Sequence, residues 1–568
     1  MMISSLNFNL LPQKISFKGI SNPSAPRNPQ IQPLTNDVVE IKAKPFDSGI
    51  SKENLEILQS ELSRATAGYR AVYPYPFSQG AVKLLTQGYS AYLANEAKQP
   101  HNTGRRDVVI GGDTRIATKE SLPIVRDILT ENGFNVLYQP DKNGGIKPVA
   151  SPILAVATEQ YDNNIGGVLM TASHNPWQDG GYNFLTTEGS IAPSEITSQI
   201  VSNMNKIVEN PYTNAKVSDI KGKARPTDLF ETYKNYIEEH HHIDWDSIKN
   251  AGIQIYYEGF DGTGSLYFPQ MLEEHGIKTE KILNTRTLGP EPNEANSQTL
   301  ANEVKKGKGS NKIGLANDGD SDRYAIIDEN GNFIKGNDVL LLFLYHMAKN
   351  RHEEGPVVCS QAVSEKLVDY AGKLGKEVYR TPIGFKFLGH EMLSLRAQNK
   401  EPALICEPPG LTFPNHVPEK DGFLALLMLL ELTAKEKKPL GEILKEIKSD
   451  MKADYDYFEN DIVFKEYNQK FKFVNAFKDY KDGVKNTLGG YEVDRERTQK
   501  MFERMSEQKE GGDGYKIYLK DGSSALIRMS GTEPKARVLL DIKQPENGTT
   551  KDIEANIMKE VNEIKNSL

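Results

Sequence analysis

From about residue 51 onward, short apolar runs ending in glycine or a polar loop alternate with helical stretches. That alternation most narrows what the chain can become. Asp107-Val108-Val109-Ile110-Gly111-Gly112 reads as a buried strand closed by a glycine turn, and Ser121 to Asn132 as the helix that follows. Ile165 to Met170, Ile253 to Tyr257, Ile313 to Ala316, Val357 to Cys359 and Ala403 to Cys406 repeat the pattern. Strands alternating with helices predict α/β layers with mixed, largely parallel sheets, whose ligands collect at loops beyond the carboxyl ends of strands. Past about residue 453 the strands draw together. Gly514 to Leu519 and Ser524 to Met529 are joined by Lys520-Asp521-Gly522, a hairpin with an Asp-Gly turn, and a last helix runs roughly from Asp552 to Asn566. At roughly 150 residues per domain, a chain of 568 residues holds about four. The changes of pattern divide it into a leader (1–45), three α/β domains (46–220, 221–345 and 346–452) and a smaller α+β domain (453–568).

Charge and cysteine content remove several classes of function. Lys+Arg 69 against Asp+Glu 77 gives −8, whereas a dedicated nucleic-acid binder carries a basic excess. No run of about 18 apolar residues occurs, so no membrane span is expected. The two cysteines, Cys359 and Cys406, make no disulfide framework, which fits a reducing compartment and a cytoplasmic protein. The leader is rich in Ser, Asn, Pro and Gln up to Pro33, and Lys14 interrupts its only apolar stretch. No signal-peptide core forms there, and a disordered leader is expected.

Three loops carry chemistry. In Asp318-Gly319-Asp320-Ser321-Asp322-Arg323 the carboxylates fall at i, i+2 and i+4. A helix would turn Asp320 away, but a curled loop, eased by Gly319, lets all three converge. Three hard oxygen ligands suit Mg²⁺, which keeps waters or takes a phosphate oxygen. Arg323 beside them suits a phosphate or sugar oxygen. A calcium EF-hand is disfavoured: Arg323 stands where the turn needs glycine, and the apolar run Tyr324 to Ile327 resumes as a strand. Thr171-Ala172-Ser173-His174-Asn175-Pro176 follows the strand ending at Met170 and presents Ser173 on a tight loop. A serine hydroxyl needs a base or a metal, and no G-x-S-x-G elbow surrounds this one. A serine that carries a phosphoryl group fits, provided the aspartate cluster lies near it. Arg528-Met529-Ser530-Gly531-Thr532-Glu533-Pro534, with Arg537 beyond, offers amides at Ser530, Gly531 and Thr532 and two arginines, a phosphate cradle unlike a Walker A loop. Two weaker candidates read as structural. His240-His241-His242 reads as a solvated helix end, because adjacent histidines diverge, and Gly262-Thr263-Gly264 reads as a plain turn.

The serine, acidic and phosphate loops, in that order in one chain, resemble those of the α-D-phosphohexomutase superfamily, which includes the phosphoglucomutases and phosphomannomutases. The resemblance runs from about residue 60 to the C-terminus. Thr66-Ala67-Gly68-Tyr69-Arg70 is similar to the early arginine motif, Gly112-Asp113-Thr114-Arg115 to another early segment, and Thr381-Pro382-Ile383-Gly384-Phe385-Lys386 to the segment whose lysine contacts the phosphosugar. The resemblance implies four domains around one central cleft and an isomerase of the intramolecular phosphotransferase type. It implies Ser173 as phosphoserine, with His174 and Arg70 beside it in catalysis. Mg²⁺ would be held by Asp318, Asp320, Asp322 and the group on Ser173, and a hexose 1,6-bisphosphate would act as activator. Arg323, Lys386, Glu407, His416, Arg528, Ser530, Gly531, Thr532 and Arg537 would bind the substrate. The partner implied is a small phosphosugar, with no nucleic acid and no membrane.

Two positions depart from the family pattern. The sugar loop, roughly Gly-Glu-x-Ser-Gly in the family, is Cys406-Glu407-Pro408-Pro409-Gly410 here, so a proline stands where a hydroxyl would meet a sugar OH. His416-Val417-Pro418-Glu419-Lys420-Asp421-Gly422 again resembles the glucose-type branch. The lysine that follows the serine loop in the family is Asn183, which cannot act as a base, leaving His174, Asp179 or Lys386 for proton transfer. If a base is missing, Asn183→Lys should raise activity. The sequence therefore points to a phosphohexomutase acting on glucose phosphates. The alternatives are a non-catalytic or altered-specificity relative for mannose, glucosamine or pentose phosphates, and a metal phosphatase using the same aspartates.

Overall fold

A computed structural model describes residues 45–62, 68–451, 454–507, 514–529 and 534–568. The expected leader, the Thr66-Ala67 part of the arginine motif and the phosphate-loop residues Ser530, Gly531 and Thr532 lie outside the described residues.

The first sheet holds β1 (Tyr69–Val72), β2 (Asp107–Gly112), β3 (Asn135–Tyr138), β4 (Asn164–Met170), β5 (Asp179–Leu185) and β6 (Ala224–Pro226) in the order β1-β5-β4-β2-β3-β6. The β4-β2-β3-β6 run is parallel, and β5 and β1 add antiparallel to its other side. The edge strand β6 comes from beyond residue 220, where the sequence pattern placed the domain boundary. It is held there by backbone pairing to β3 and by an ion pair from Arg225 to Asp107. The helix expected from Ser121 begins earlier, at Ile116, and carries Pro123 inside it.

The second sheet, β7 (Gln254–Glu258), β8 (Thr279–Leu283), β9 (Lys312–Asn317) and β10 (Tyr324–Ile327), runs β10-β9-β7-β8 with only β10 antiparallel. The third, β11 (Val357–Ser360), β12 (Val378–Thr381), β13 (Leu404–Glu407) and β14 (Gly410–Thr412), runs β12-β11-β13-β14, again with one antiparallel edge. In both, the apolar strand runs are buried on two faces, as covered parallel sheets require. The helix Gly422–Glu436 is apolar around its circumference and buried from Gly422 to Ala434, with its first turn capped by Asp421 (Leu424 N–H to Oδ1, 2.8 Å).

The C-terminal part contains β15 (Tyr455–Val463), the short pair β16 (Thr487–Leu488) and β17 (Tyr491–Glu492), and β18 (Gly514–Tyr518), β19 (Ser524–Met529) and β20 (Lys535–Lys543). The order β15-β20-β19-β18 is antiparallel throughout, and the β18–β19 hairpin turns at Gly522, whose φ of 100° favours glycine. The final helix, Thr550–Asn566, opens on a reciprocal cap between Thr549 and Asp552. The architecture is thus three α/β layers with mixed, mostly parallel sheets and a C-terminal α+β part. A cleft of about 980 Å³ is lined from all four, by His174, Arg323, Glu407 and Arg537 among others. No helix among the described residues is long and apolar enough to cross a membrane.

Candidate active site

The serine loop leaves the carboxyl end of β4 and returns as β5. Ser173 sits in the left-handed region (φ 53°) with its side chain buried, a conformation non-glycine residues seldom hold unless the surroundings impose it. Those surroundings are Asp113 and Arg115 at the end of β2. Arg115 is fully buried and donates to the backbone oxygens of Ser173, Asn175 (2.8 Å), Pro176 and Asp179 (3.2 Å). Asp113 receives Arg115 Nε (2.8 Å) and the hydroxyls of Thr118 (2.8 Å) and Thr171 (2.7 Å), and Thr171 Oγ1 in turn accepts the Ser173 N–H (2.8 Å). This strap was visible in sequence only as a family-like segment. Its signal is a carboxylate and a guanidinium two residues apart directly after a glycine-ended strand.

The acidic loop joins β9 to β10. Oxygens of Asp318, Asp320 and Asp322 lie within 4.8 Å of one another, and all three residues are buried. Burial raises the Asp318 carboxyl well above its ordinary range, and Asp320 and Asp322 push it further. Asp322 is raised the same way, by burial and then by Asp320. Asp320 Oδ1 and Asp322 Oδ1 are buried and have no hydrogen-bond partner among the described residues. Converging carboxylates with orphaned acceptors fit a hard divalent cation, and their oxygen-only donor set fits Mg²⁺ or Mn²⁺. The curl is made at Ser321 (φ 65°), not at Gly319. Gly319 serves close approach: a Cβ there would stand 2.8 Å from Pro290 Cγ and 3.1 Å from Ser173 O.

The two loops meet. Ser173 Oγ is 3.0 Å from Asp318 Oδ2, across 145 residues of sequence, and 3.3 Å from His174 Nδ1. Ser151 donates to Asp320 Oδ2 (2.9 Å), and Lys420 forms an ion pair with Asp322. Neither Ser151 nor Lys420 was singled out as a site residue in sequence. Burial, and after it Arg323, Arg70, Lys420 and Arg115, together lower the His174 imidazole to about 2, so it is neutral at physiological pH. Arg70, on β1 opposite Gly181, is half-buried beside the cluster and feels Asp320, Arg323 and Asp322. Arg323 donates its backbone N–H to Asp318 Oδ1 (3.1 Å) and lines the cleft.

Across the cleft, Glu407 accepts the Gly384 N–H (3.0 Å) beside Pro408 and Pro409. Arg528 and Arg537 line the far wall and are direct cross-strand partners on β19 and β20. Like charges placed opposite one another are unfavourable, and Asp461 Oδ1 stands 3.7 Å from Arg537 Nε.

Other predicted residues lie elsewhere. His416 is not a cleft residue. It is buried between His241 Nε2, 3.0 Å from its Nδ1, and Asp421 Oδ2, 3.1 Å from its Nε2. This corrects two expectations together: the middle of the three histidines is not solvated but packs inward against His416, while His242 caps the helix. Lys386 is not among the cleft-lining residues either, and its Nζ donates to Ser194 Oγ (2.9 Å). Asp179 accepts from Asn175 Nδ2 (3.0 Å), bracing the serine loop. Asn183 is buried and gives its amide hydrogens to Leu169 O and Thr171 O, both at 3.2 Å. Here it pins the strand that delivers the serine loop. Asn183→Asp keeps the shape but sets a carboxylate against two carbonyls, so urea denaturation should show a loss of about 2–3 kcal/mol.

Three domain families match the chain. Phosphoglucomutase/phosphomannomutase alpha/beta/alpha domain I covers residues 61–211, domain II covers 231–331 and domain III covers 335–450. A phosphoglucomutase/phosphomannomutase of Thermococcus kodakarensis is 28% identical over 85% of this chain and 94% of its own length. A phosphopentomutase of the same organism is also 28% identical, over 69% and 78%. The crystal structure of pp63/parafusin, a phosphoglucomutase from Paramecium, has the same fold in its open form, with a TM-score of 0.67 at 21% identity over 89% and 94% of the two chains. The chain belongs to the phosphoglucomutase/phosphomannomutase family within the α-D-phosphohexomutase superfamily, and is an isomerase that moves a phosphoryl group on a sugar phosphate.

Proposed function

We propose that the chain interconverts hexose 1-phosphate and hexose 6-phosphate, glucose phosphates first, through phosphoserine at Ser173 and a hexose 1,6-bisphosphate that also serves as activator. The observation that carries this reading is the 3.0 Å approach of Ser173 Oγ to a buried triad of aspartates, where His174 and Arg323, the residues that follow Ser173 and Asp322, line a cleft that Arg528 and Arg537 also line.

Asp318, Asp320 and Asp322 would hold Mg²⁺, which when bound offsets charge on the phosphoryl oxygens. Arg70 and Arg323 add fixed positive charge on the same side, where phosphoryl transfer asks mainly for positioning and charge neutralisation. Arg115 holds the serine loop by its backbone oxygens, with Oγ set against Asp318 and His174. Arg528 and Arg537, with Ser530, Gly531 and Thr532 of the same loop, would take the substrate phosphate that is not reacting, and Glu407 would meet sugar hydroxyls. Neutral His174, its Nδ1 3.3 Å from Oγ, would share the Oγ proton. After the first transfer the bisphosphate would turn over, and its other phosphate would return to Ser173. The two reduced, buried cysteines are consistent with a cytoplasmic setting.

A change of sugar is the second reading. Pro409 removes a hydroxyl from the sugar loop, and equal identity to a phosphoglucomutase/phosphomannomutase and to a phosphopentomutase does not choose between them. A coupled assay for glucose 6-phosphate formed from glucose 1-phosphate with Mg²⁺ tests the first reading. Parallel arms with mannose, glucosamine and pentose 1-phosphates test the second. Product in the glucose arm at the highest kcat/KM supports glucose. A higher value in another arm reassigns the sugar, and inorganic phosphate without isomer in every arm refutes the mutase.

A further inference from the structure

The turn between β7 and the helix Gly264–Glu274 was expected to be a plain connection, yet it is strained and engaged on both sides. Phe260 (φ 48°) and Asp261 (φ 59°) are consecutive non-glycine residues in the left-handed region. Such a pair persists only where its surroundings over-determine it. Here the carboxylate of Glu258, fully buried, accepts the N–H groups of Phe260 and Thr285 (both 2.9 Å) and the Thr285 hydroxyl (2.5 Å).

The strained turn presents its far side to the acidic loop. Thr263 donates its N–H to Gly319 O (2.9 Å), and its hydroxyl lies 2.9 Å from Ser321 Oγ, both groups being buried. Gly262 lies so close that a Cβ would stand 2.7 Å from Gly319 Cα. The near side is tied to the serine strap, since Thr114, the residue before Arg115, donates to Asp261 O (2.7 Å). One turn therefore touches the backbone that carries the three aspartates and the segment that carries the arginine of the serine loop.

We propose that Thr263 is a positioning residue for the metal centre: by holding Gly319 O and the Ser321 hydroxyl it keeps Asp318, Asp320 and Asp322 converged beside Ser173. Ser321 stands between two of the three aspartates in a left-handed conformation, so releasing its hydroxyl lets the backbone relax and turns those carboxylates apart. The inference rests on the triad being a divalent-cation site, and its test separates the two claims.

The full chain, dephosphorylated, stripped with chelator and free of substrate, is titrated with Mn²⁺ and free ion is read by electron paramagnetic resonance. Thr263→Val, which keeps the shape and loses the hydroxyl, should bind Mn²⁺ about tenfold more weakly, the scale expected for a partner that orients metal ligands. Thr263→Ser should restore wild-type affinity, and the thermal midpoints of all three should agree. If Thr263→Val fails to fold, Ser321→Ala removes the other hydroxyl of the same contact and should weaken Mn²⁺ binding likewise. Native Mn²⁺ affinity in the folded variant overturns the role of Thr263. A wild-type chain that binds no Mn²⁺ overturns the metal site itself.

Discussion

Ser173→Ala is expected to abolish mutase turnover, by about 10⁴-fold or more, with the thermal midpoint moved by no more than about 2 °C. On the proposed route the loss follows because Oγ is the atom that would carry the phosphoryl group between sugar positions, and neighbouring groups would have nothing to act on once it is gone. Folding is spared because the loop is held through backbone atoms: Arg115 grips the carbonyls of Ser173 and Asn175, and Thr171 receives the Ser173 N–H. The substitution removes the hydrogen bond from Oγ to Asp318 and leaves those backbone bonds in place. Steady-state kinetics beside a melting curve check both halves. Retained activity would remove the phosphoserine role.

Asp320→Asn should act in opposite directions on function and stability. Activity with Mg²⁺ should fall about 10³-fold, because a charged ligand would be lost from the proposed metal site that would offset charge on the phosphoryl group. The metal-free protein should become more stable, by on the order of 1 kcal/mol, because Asp320 is one of the charges raising the protonation of both Asp318 and Asp322. The pH dependence follows from burial of the carboxyls first and from this repulsion second. A carboxyl raised in the fold binds its proton more tightly there than in the unfolded chain, where the value is about 3.8. Its contribution is present below about pH 4 and is lost as pH rises through the raised folded value. Metal-free wild type should therefore lose stability across that window. Saturating Mg²⁺ should flatten the curve, and Asp320→Asn should lessen the fall without metal, leaving the part that burial causes. Urea denaturation at several pH values, with and without Mg²⁺, distinguishes these curves. A metal-free wild type whose stability does not fall with pH would contradict the converged triad.

The chemistry-bearing loops were legible in the sequence because local spacing encodes them: three aspartates at every second position, and a serine between a strand end and a proline. Their meeting was an expectation that only tertiary structure could test. What sequence misread are side chains whose surroundings are set at long range. His416 and His241 lie 175 residues apart and are buried against each other, so neither a run of histidines nor a family-like motif reveals that they face inward. Gly319 was read as a hinge for the curl, but its lack of a side chain makes room for Pro290 and the serine loop, a fact of packing between distant segments. Arg115 was invisible as a support because it acts on backbone oxygens, whose placement the sequence does not record. Asn183, read as a missing base, belongs to the same class, since its partners are carbonyls of β4 and the serine loop.

The most direct measurement is the intact mass of the purified chain with peptide mapping, taken after incubation with glucose 1,6-bisphosphate and Mg²⁺ and again after adding glucose 1-phosphate. One phosphoryl group on Ser173 that the second addition carries off as sugar bisphosphate is the expected result. A chain that stays unmodified at Ser173, yet still forms glucose 6-phosphate, would contradict it.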